Sequence, residues 1–173
     1  MARAVVVELL ALRPSRVVVV GDVDSTLAGA FAAQRLSVPL AHVEAGLRCG
    51  DLSMPEERNR RRVDRASDLQ HVSESAAVAH LRREGVPASA IHRAGNVLAD
   101  QLDWALPRVT FPGLPALRAL RDRPFGVVTL HRPANVDEPG RLERWGQALS
   151  RVARALPLVF PMHPRTRARL GGA

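Results

Sequence analysis

Short β-branched runs alternate with longer stretches of helical spacing through the first hundred residues. The runs at 16–21 (RVVVVG), 39–43 (PLAHV), 69–72 and 91–94 predict strands, and an amphipathic helix opens the chain at Met1. Between the runs, 25–34, 56–65, 75–84 and 98–106 place apolar residues three or four apart, which predicts helices. Strand, helix, strand in this order is the signature of a parallel sheet with helical crossovers. Because the strand runs are apolar throughout rather than alternating, helices are expected on both sheet faces. Around Pro107, Pro112, Pro115 and Pro124 the pattern loosens. This predicts a linker over 111–124, after a first unit at 1–110 and before a second at 125–173. The second unit restarts the rhythm with a strand at 125–130 (FGVVTL), a helix over 141–155 and a strand at 158–160.

Composition narrows the class. The chain has 173 residues, 46% hydrophobic and 24% charged, so a disordered polymer is excluded and one domain or two partial ones are expected. No apolar run approaches the roughly 20 residues that span a bilayer. No secretory signal is read at the start either, and a cytoplasmic location is expected. Cys49 is the single cysteine, which leaves no disulfide framework or cysteine-based zinc site within one chain. The net charge of +8 comes from arginine alone, a bias expected of a GC-rich coding genome. Tyrosine is absent and aromatics make up 3%, so stacking on nucleic acid is poorly supported, while arginine forks suit a phosphorylated small molecule.

Candidate chemistry gathers where strands end. In Gly21-Asp22-Val23-Asp24-Ser25-Thr26, Asp24 or Ser25 reads as a helix cap, whereas Asp22 closes a strand and points to a crevice. Glu44 closes the second strand in the same way, within HVEAGLR at 42–48. Pro55, Glu56 and Glu57 fit ordinary helix initiation, but Glu56 shares one sheet edge with Asp22 and Glu44. His131 and Arg132 follow the strand at 125–130, and His163 and Arg165 repeat that strand-then-basic-loop arrangement, which makes all four candidates for holding a phosphate. His71, His80 and His92 read as surface or packing residues, and no spacing makes a convincing metal site.

Five motifs in order, GDVDST, HVEAGLRCGDLSMPEERNR, AGNVLADQL, TLHRPANVD and FPMHPRTRARL, resemble the non-hydrolysing UDP-N-acetylglucosamine 2-epimerase family nearly from end to end. The resemblance implies an α/β fold of GT-B type, with two Rossmann-like domains facing a cleft, and a homodimer. It also implies interconversion of UDP-N-acetylglucosamine and UDP-N-acetylmannosamine for cell-envelope polysaccharide, by elimination and re-addition of UDP, without NAD or metal. On this resemblance Asp22, Glu44, Glu56 and His131 match the catalytic positions, while Arg48 and Arg132 match cleft or phosphate contacts. Val23, Asp24 and Ala134 depart from the family pattern, and the segment after Asn59 is unusually basic. The family's opening G-T-R-P-E loop and late S-G-G-x-x-E-E segment are missing. The expectation is therefore two incomplete domains, the later part of one and the first part of the other, with little activity for the chain alone. Two alternatives stay open: a GT-B glycosyltransferase or UDP-sugar binder, and a non-enzymatic basic binding module.

Overall fold

The computed structural model describes residues 1–110 and 115–170; part of the expected linker, 111–114, lies outside them. The chain divides into two compact units, 1–108 and 109–173. In the first, α1 (Ala2–Leu12) leads to β1 (Val17–Val20), α2 (Asp24–Arg35), β2 (Leu40–Val43), α3 (Pro55–Ala66), β3 (Leu69–Val72), α4 (Ser75–Arg83), β4 (Ile91–Arg93) and α5 (Val97–Ala105). The strands form one parallel sheet in the order β1-β2-β3-β4. Register pairs Val19 with His42 and His42 with Gln70, so these three share a face.

That face carries the core. Val19, Leu40 and Val63 pack with Ala30 and Ala33 of α2, and Val72 packs with Ala77 and Leu81 of α4. Each fully buried Leu or Val contributes about 1.5–3 kcal/mol by leaving water. Small residues bring α2 close to the sheet: a Cβ on Gly29 would sit 3.1 Å from Val19 Cγ1. The expected helix cover on both faces differs at β1. Val17 and Val19 turn toward α2, whereas Val18 and Val20 are 60% and 52% exposed on the other face. An all-valine strand hides which of its two faces meets a helix, because both read alike in sequence.

The second unit holds α6 (Pro115–Arg118), β5 (Gly126–Val127), α7 (Pro133–Val136), α8 (Arg141–Ala153), β6 (Leu158–Val159) and α9 (Pro164–Leu170). β5 and β6 pair in parallel with α8 as the crossover. The strand expected over 125–130 is only two residues long. Its partner β6 lies between Pro157 and Pro161, which have no N–H to extend the ladder.

Candidate active site

Two turns leave the carboxyl edge of the first sheet side by side. Gly21 (φ 72°) bends the chain after β1 and donates its N–H to Val43 O at 3.1 Å. Glu44, directly after β2, also takes a left-handed conformation at φ 65°. A non-glycine residue there is strained by roughly 1–2 kcal/mol, and such strain collects at functional sites. The Glu44 carboxylate lies over the Gly21 backbone, where a Cβ on Gly21 would be 3.6 Å from Glu44 Oε2. Asp22, the next residue, receives Arg60 Nη1 on its Oδ2 at 2.8 Å. Glu56 is exposed on the first turn of α3. Topology thus places Asp22, Glu44 and Glu56 on one edge, at the ends of neighbouring parallel strands and the start of the helix that follows.

Asp24 and Ser25 do not cap α2 as expected. The N-cap is Val23, and Asp24 instead accepts a 2.9 Å hydrogen bond from Asn59 Nδ2. Asn59 and Arg60 of α3 therefore grip the loop after β1 at Asp24 and Asp22. The basic stretch after Asn59 supplies this second contact.

Beneath the edge lies a chain of charges that is buried at His42, Asp64, Arg48 and Glu57 and open to solvent at Glu84 and Arg61. His42 Nδ1 is 2.6 Å from Asp64 Oδ1, and Arg48 Nη2 is 2.7 Å from Asp64 Oδ2. Arg48 also grips Glu84 in a fork, through Nε at 2.9 Å and Nη2 at 2.7 Å, and donates from Nη1 to Leu47 O. Arg61 links Glu84 (3.7 Å) to Glu57 (2.7 Å), whose other oxygen accepts the Cys49 N–H at 3.0 Å. Arg48, expected at a phosphate or in the cleft, is thus committed to carboxylates within the fold. Hydrogen bonds to Glu84 and Asp64 outweigh its burial and raise its pKa above the ordinary arginine value. Hydrogen bonding from Arg48 holds Glu84 below the ordinary carboxylate range. Burial opposes ionisation of Glu57, but hydrogen bonds from Arg61 and the Cys49 N–H prevail and lower it too. Gly46 (φ 76°) completes the loop: its N–H reaches Asp64 Oδ2 at 3.2 Å and its carbonyl meets His80 Nδ1 at 2.9 Å. His71 and His92 form a ring pair at 5.8 Å across β3 and β4.

In the second unit, the loops after β5 and β6 bring His131 and His163 together, with ring centroids 6.4 Å apart. Thr166 anchors the approach by donating its hydroxyl to Leu130 O. Arg132 is exposed beside His131, whereas Arg165 turns onto Asp137 at 2.9 Å. Arg132 thus presents its charge to solvent, whereas the charge of Arg165 is met by Asp137.

A family profile described as UDP-N-acetylglucosamine 2-epimerase matches residues 4–172. The chain belongs to the UDP-N-acetylglucosamine 2-epimerase family. It is 43% identical over 163 residues to the UDP-2,3-diacetamido-2,3-dideoxy-D-glucuronate 2-epimerase of Pseudomonas aeruginosa, covering 92% of this chain and 45% of that one. It is 35% identical over 172 residues to the UDP-N-acetylglucosamine 2-epimerase of Methanocaldococcus jannaschii, covering 94% and 46%. A crystal structure of a UDP-GlcNAc 2-epimerase from M. jannaschii, in complex with UDP-GlcNAc and UDP, matches with a TM-score of 0.85 at 33% identity, covering 99% of this chain and 49% of that one. The chain thus spans about half the length of the relatives it matches. The α/β architecture with parallel sheets is the one these GT-B epimerases share.

Within this chain of the 2-epimerase family, the sequence motifs point to the edge carboxylates but not to what holds them. His42, Glu57, Arg61, Asp64 and Glu84 carried no expectation of pairing. One signal was available: Glu57, Arg61 and Asp64 recur at i, i+4 and i+7, a polar stripe on one face of α3. That face turns inward, so its charges must find partners.

Proposed function

We propose that this chain contributes the epimerising carboxylates for inversion at C2 of a UDP-activated 2-acetamido sugar. The observation that carries the reading is the pair of turns bearing Asp22 and Glu44, set side by side at the ends of neighbouring strands in a chain of this family. The hydrogen at C2 is not activated by an adjacent carbonyl. A carboxylate removes it as the C1–O bond to UDP breaks, the electron pair forming the C1–C2 double bond of a glycal. In the reverse step UDP oxygen adds to C1 and a proton is delivered to C2 on the other face. Two faces require two acid–base groups, and Asp22, Glu44 and Glu56 are the candidates. His131, Arg132, His163 and Arg165 are the candidates for the departing diphosphate.

Identity of 43% to the glucuronate epimerase, against 35% to a UDP-N-acetylglucosamine epimerase, favours a second reading of the sugar. In it the substrate is a UDP-2,3-diacetamido uronate, with the same C2 chemistry. A homodimer, a cytoplasmic location and a role in envelope polysaccharide synthesis accompany either reading. No helix among the described residues is long and apolar enough to cross a membrane.

Incubating the chain with each UDP-sugar in deuterium oxide tests the proposal by proton NMR. Slow incorporation of solvent deuterium at C2, well below the rate of a full-length relative because the chain spans about half of one, is expected, and its loss in Asp22→Asn and Glu44→Gln. Sugar transfer to an acceptor with C2 unexchanged would support a glycosyltransferase instead. Salt-sensitive nucleic-acid binding with no exchange in either sugar would support a basic binding module.

A further inference from the structure

We propose that His42 is a buried imidazolium that straps the turn bearing Asp22 to the turn bearing Glu44. His42 is 0% exposed and both of its ring nitrogens meet oxygen: Nδ1 at 2.6 Å from Asp64 Oδ1 and Nε2 at 2.8 Å from Gly21 O. A backbone carbonyl has no hydrogen, so Nε2 donates. Asp64 Oδ2 already accepts from the Arg48 guanidinium at 2.7 Å and the Gly46 N–H at 3.2 Å, which marks the group as a carboxylate. Its Oδ1 therefore accepts as well, and Nδ1 donates. A neutral imidazole has one N–H, and only the imidazolium has two.

Charge balance agrees. The connected groups run His42, Asp64, Arg48, Glu84, Arg61, Glu57, alternating in sign when His42 is charged. A neutral ring would leave this chain with an excess negative charge at its most buried end, which is strongly unfavourable. The register partner of His42 on β1 is Val19, and the one on β3 is Gln70. The buried Gln70 Oε1 on that neighbouring strand is an acceptor without a hydrogen-bond partner, and neither ring nitrogen bonds to it. The Gln70 amide nitrogen is spent on the Asp64 and Ser67 carbonyls of α3 and the residue after it.

The consequence is positional. Gly21, held through its carbonyl, immediately precedes Asp22; Gly46, held through its N–H by Asp64, lies two residues after Glu44. One ring and one carboxylate thus tie both turns to α3. His42 and Asp64 touch no reacting atom and act as positioning residues. The charge state stands on hydrogen-bond geometry, and only its catalytic consequence rests on the proposed function.

The test is two-bond proton–nitrogen NMR of the full chain labelled with 15N-histidine, at pH 7.5, with His42 assigned through the backbone. Both His42 ring nitrogens are expected in the protonated range, each with a slowly exchanging proton. A neutral tautomer would overturn the proposal. In Asp64→Asn one ring nitrogen is expected to move to the unprotonated range, and a ring still doubly protonated there would also overturn it. For positioning, Asp64→Asn is expected to lower the rate of C2 deuterium exchange at saturating sugar by about 10-fold or more with KM little changed. A changed KM with an unchanged rate would overturn that role. Absence of C2 exchange in the unaltered chain would count against the proposed function while leaving the ring signature as it stands.

Discussion

Arg48 and Asp64 meet at 2.7 Å with side chains 5% and 1% exposed. Removing one member of such a buried pair leaves the other as an uncompensated charge. Arg48→Ala is therefore expected to cost about 3–5 kcal/mol in urea denaturation. Arg48→Lys should recover only part of this, because a single ammonium does not reproduce the fork on Glu84. Weakened UDP-sugar binding at unchanged stability would instead place Arg48 at a phosphate.

Glu44 carries the opposite balance. Glu44→Gly relieves its left-handed strain and should stabilise the fold by up to about 1 kcal/mol while C2 exchange is lost. Glu44→Gln keeps the strain and should leave stability nearly unchanged. Thermal melts of the two variants, read beside their exchange rates, separate strain from chemistry.

Gly46 has no room for a side chain. A Cβ there would lie 2.6 Å from Ala77 O and 2.9 Å from Leu81 Cγ, at a φ of 76°. Gly46→Ala should cost at least about 2 kcal/mol from strain and displacement of α4 together. Gly50→Ala, also at positive φ but with nothing within 4 Å, should cost only the strain. Parallel urea curves for the two glycines would show whether the clash adds to it.

Acid should unfasten the charge chain. Hydrogen bonding from Arg48 lowers the Glu84 pKa, and contacts from Arg61 and Cys49 lower that of Glu57 against its burial, both from an ordinary 4.5. A carboxylate that binds protons more weakly folded than unfolded stabilises the fold above its unfolded pKa. That stability is lost as pH falls through the depressed folded value. The melting temperature should therefore hold steady down to about pH 5 and fall below it. Arg48→Ala should flatten the part of the fall that Glu84 supplies.

Much of the first unit was legible because helices and strands announce themselves within a few residues. The strand at 69–72 and the helix starts near Pro55 and Ser75 follow from apolar spacing and local turn chemistry. Asp22 and Glu44 were legible because a strand end is a local property and its position in a parallel sheet is a general one. Glu56 and Glu57 show where such reading stops. The two are adjacent and alike in sequence, yet Glu56 is exposed while Glu57 is buried against Arg61 and the Cys49 N–H.

Sequence by itself determined the alternation of elements, the family and the carboxylates that close β1 and β2, since each depends on neighbours a few positions away or on motifs in order. Tertiary structure alone decided that Arg48 serves Asp64 and Glu84, that Asn59 and Arg60 hold Asp24 and Asp22, and that His42 spans Gly21 and Asp64. These partners lie 16 to 38 residues apart. Hydrogen bonds of 2.6 to 2.9 Å between them exist only after the sheet and its helices have packed, and burial at His42 and Asp64 then turns their contact from optional to required.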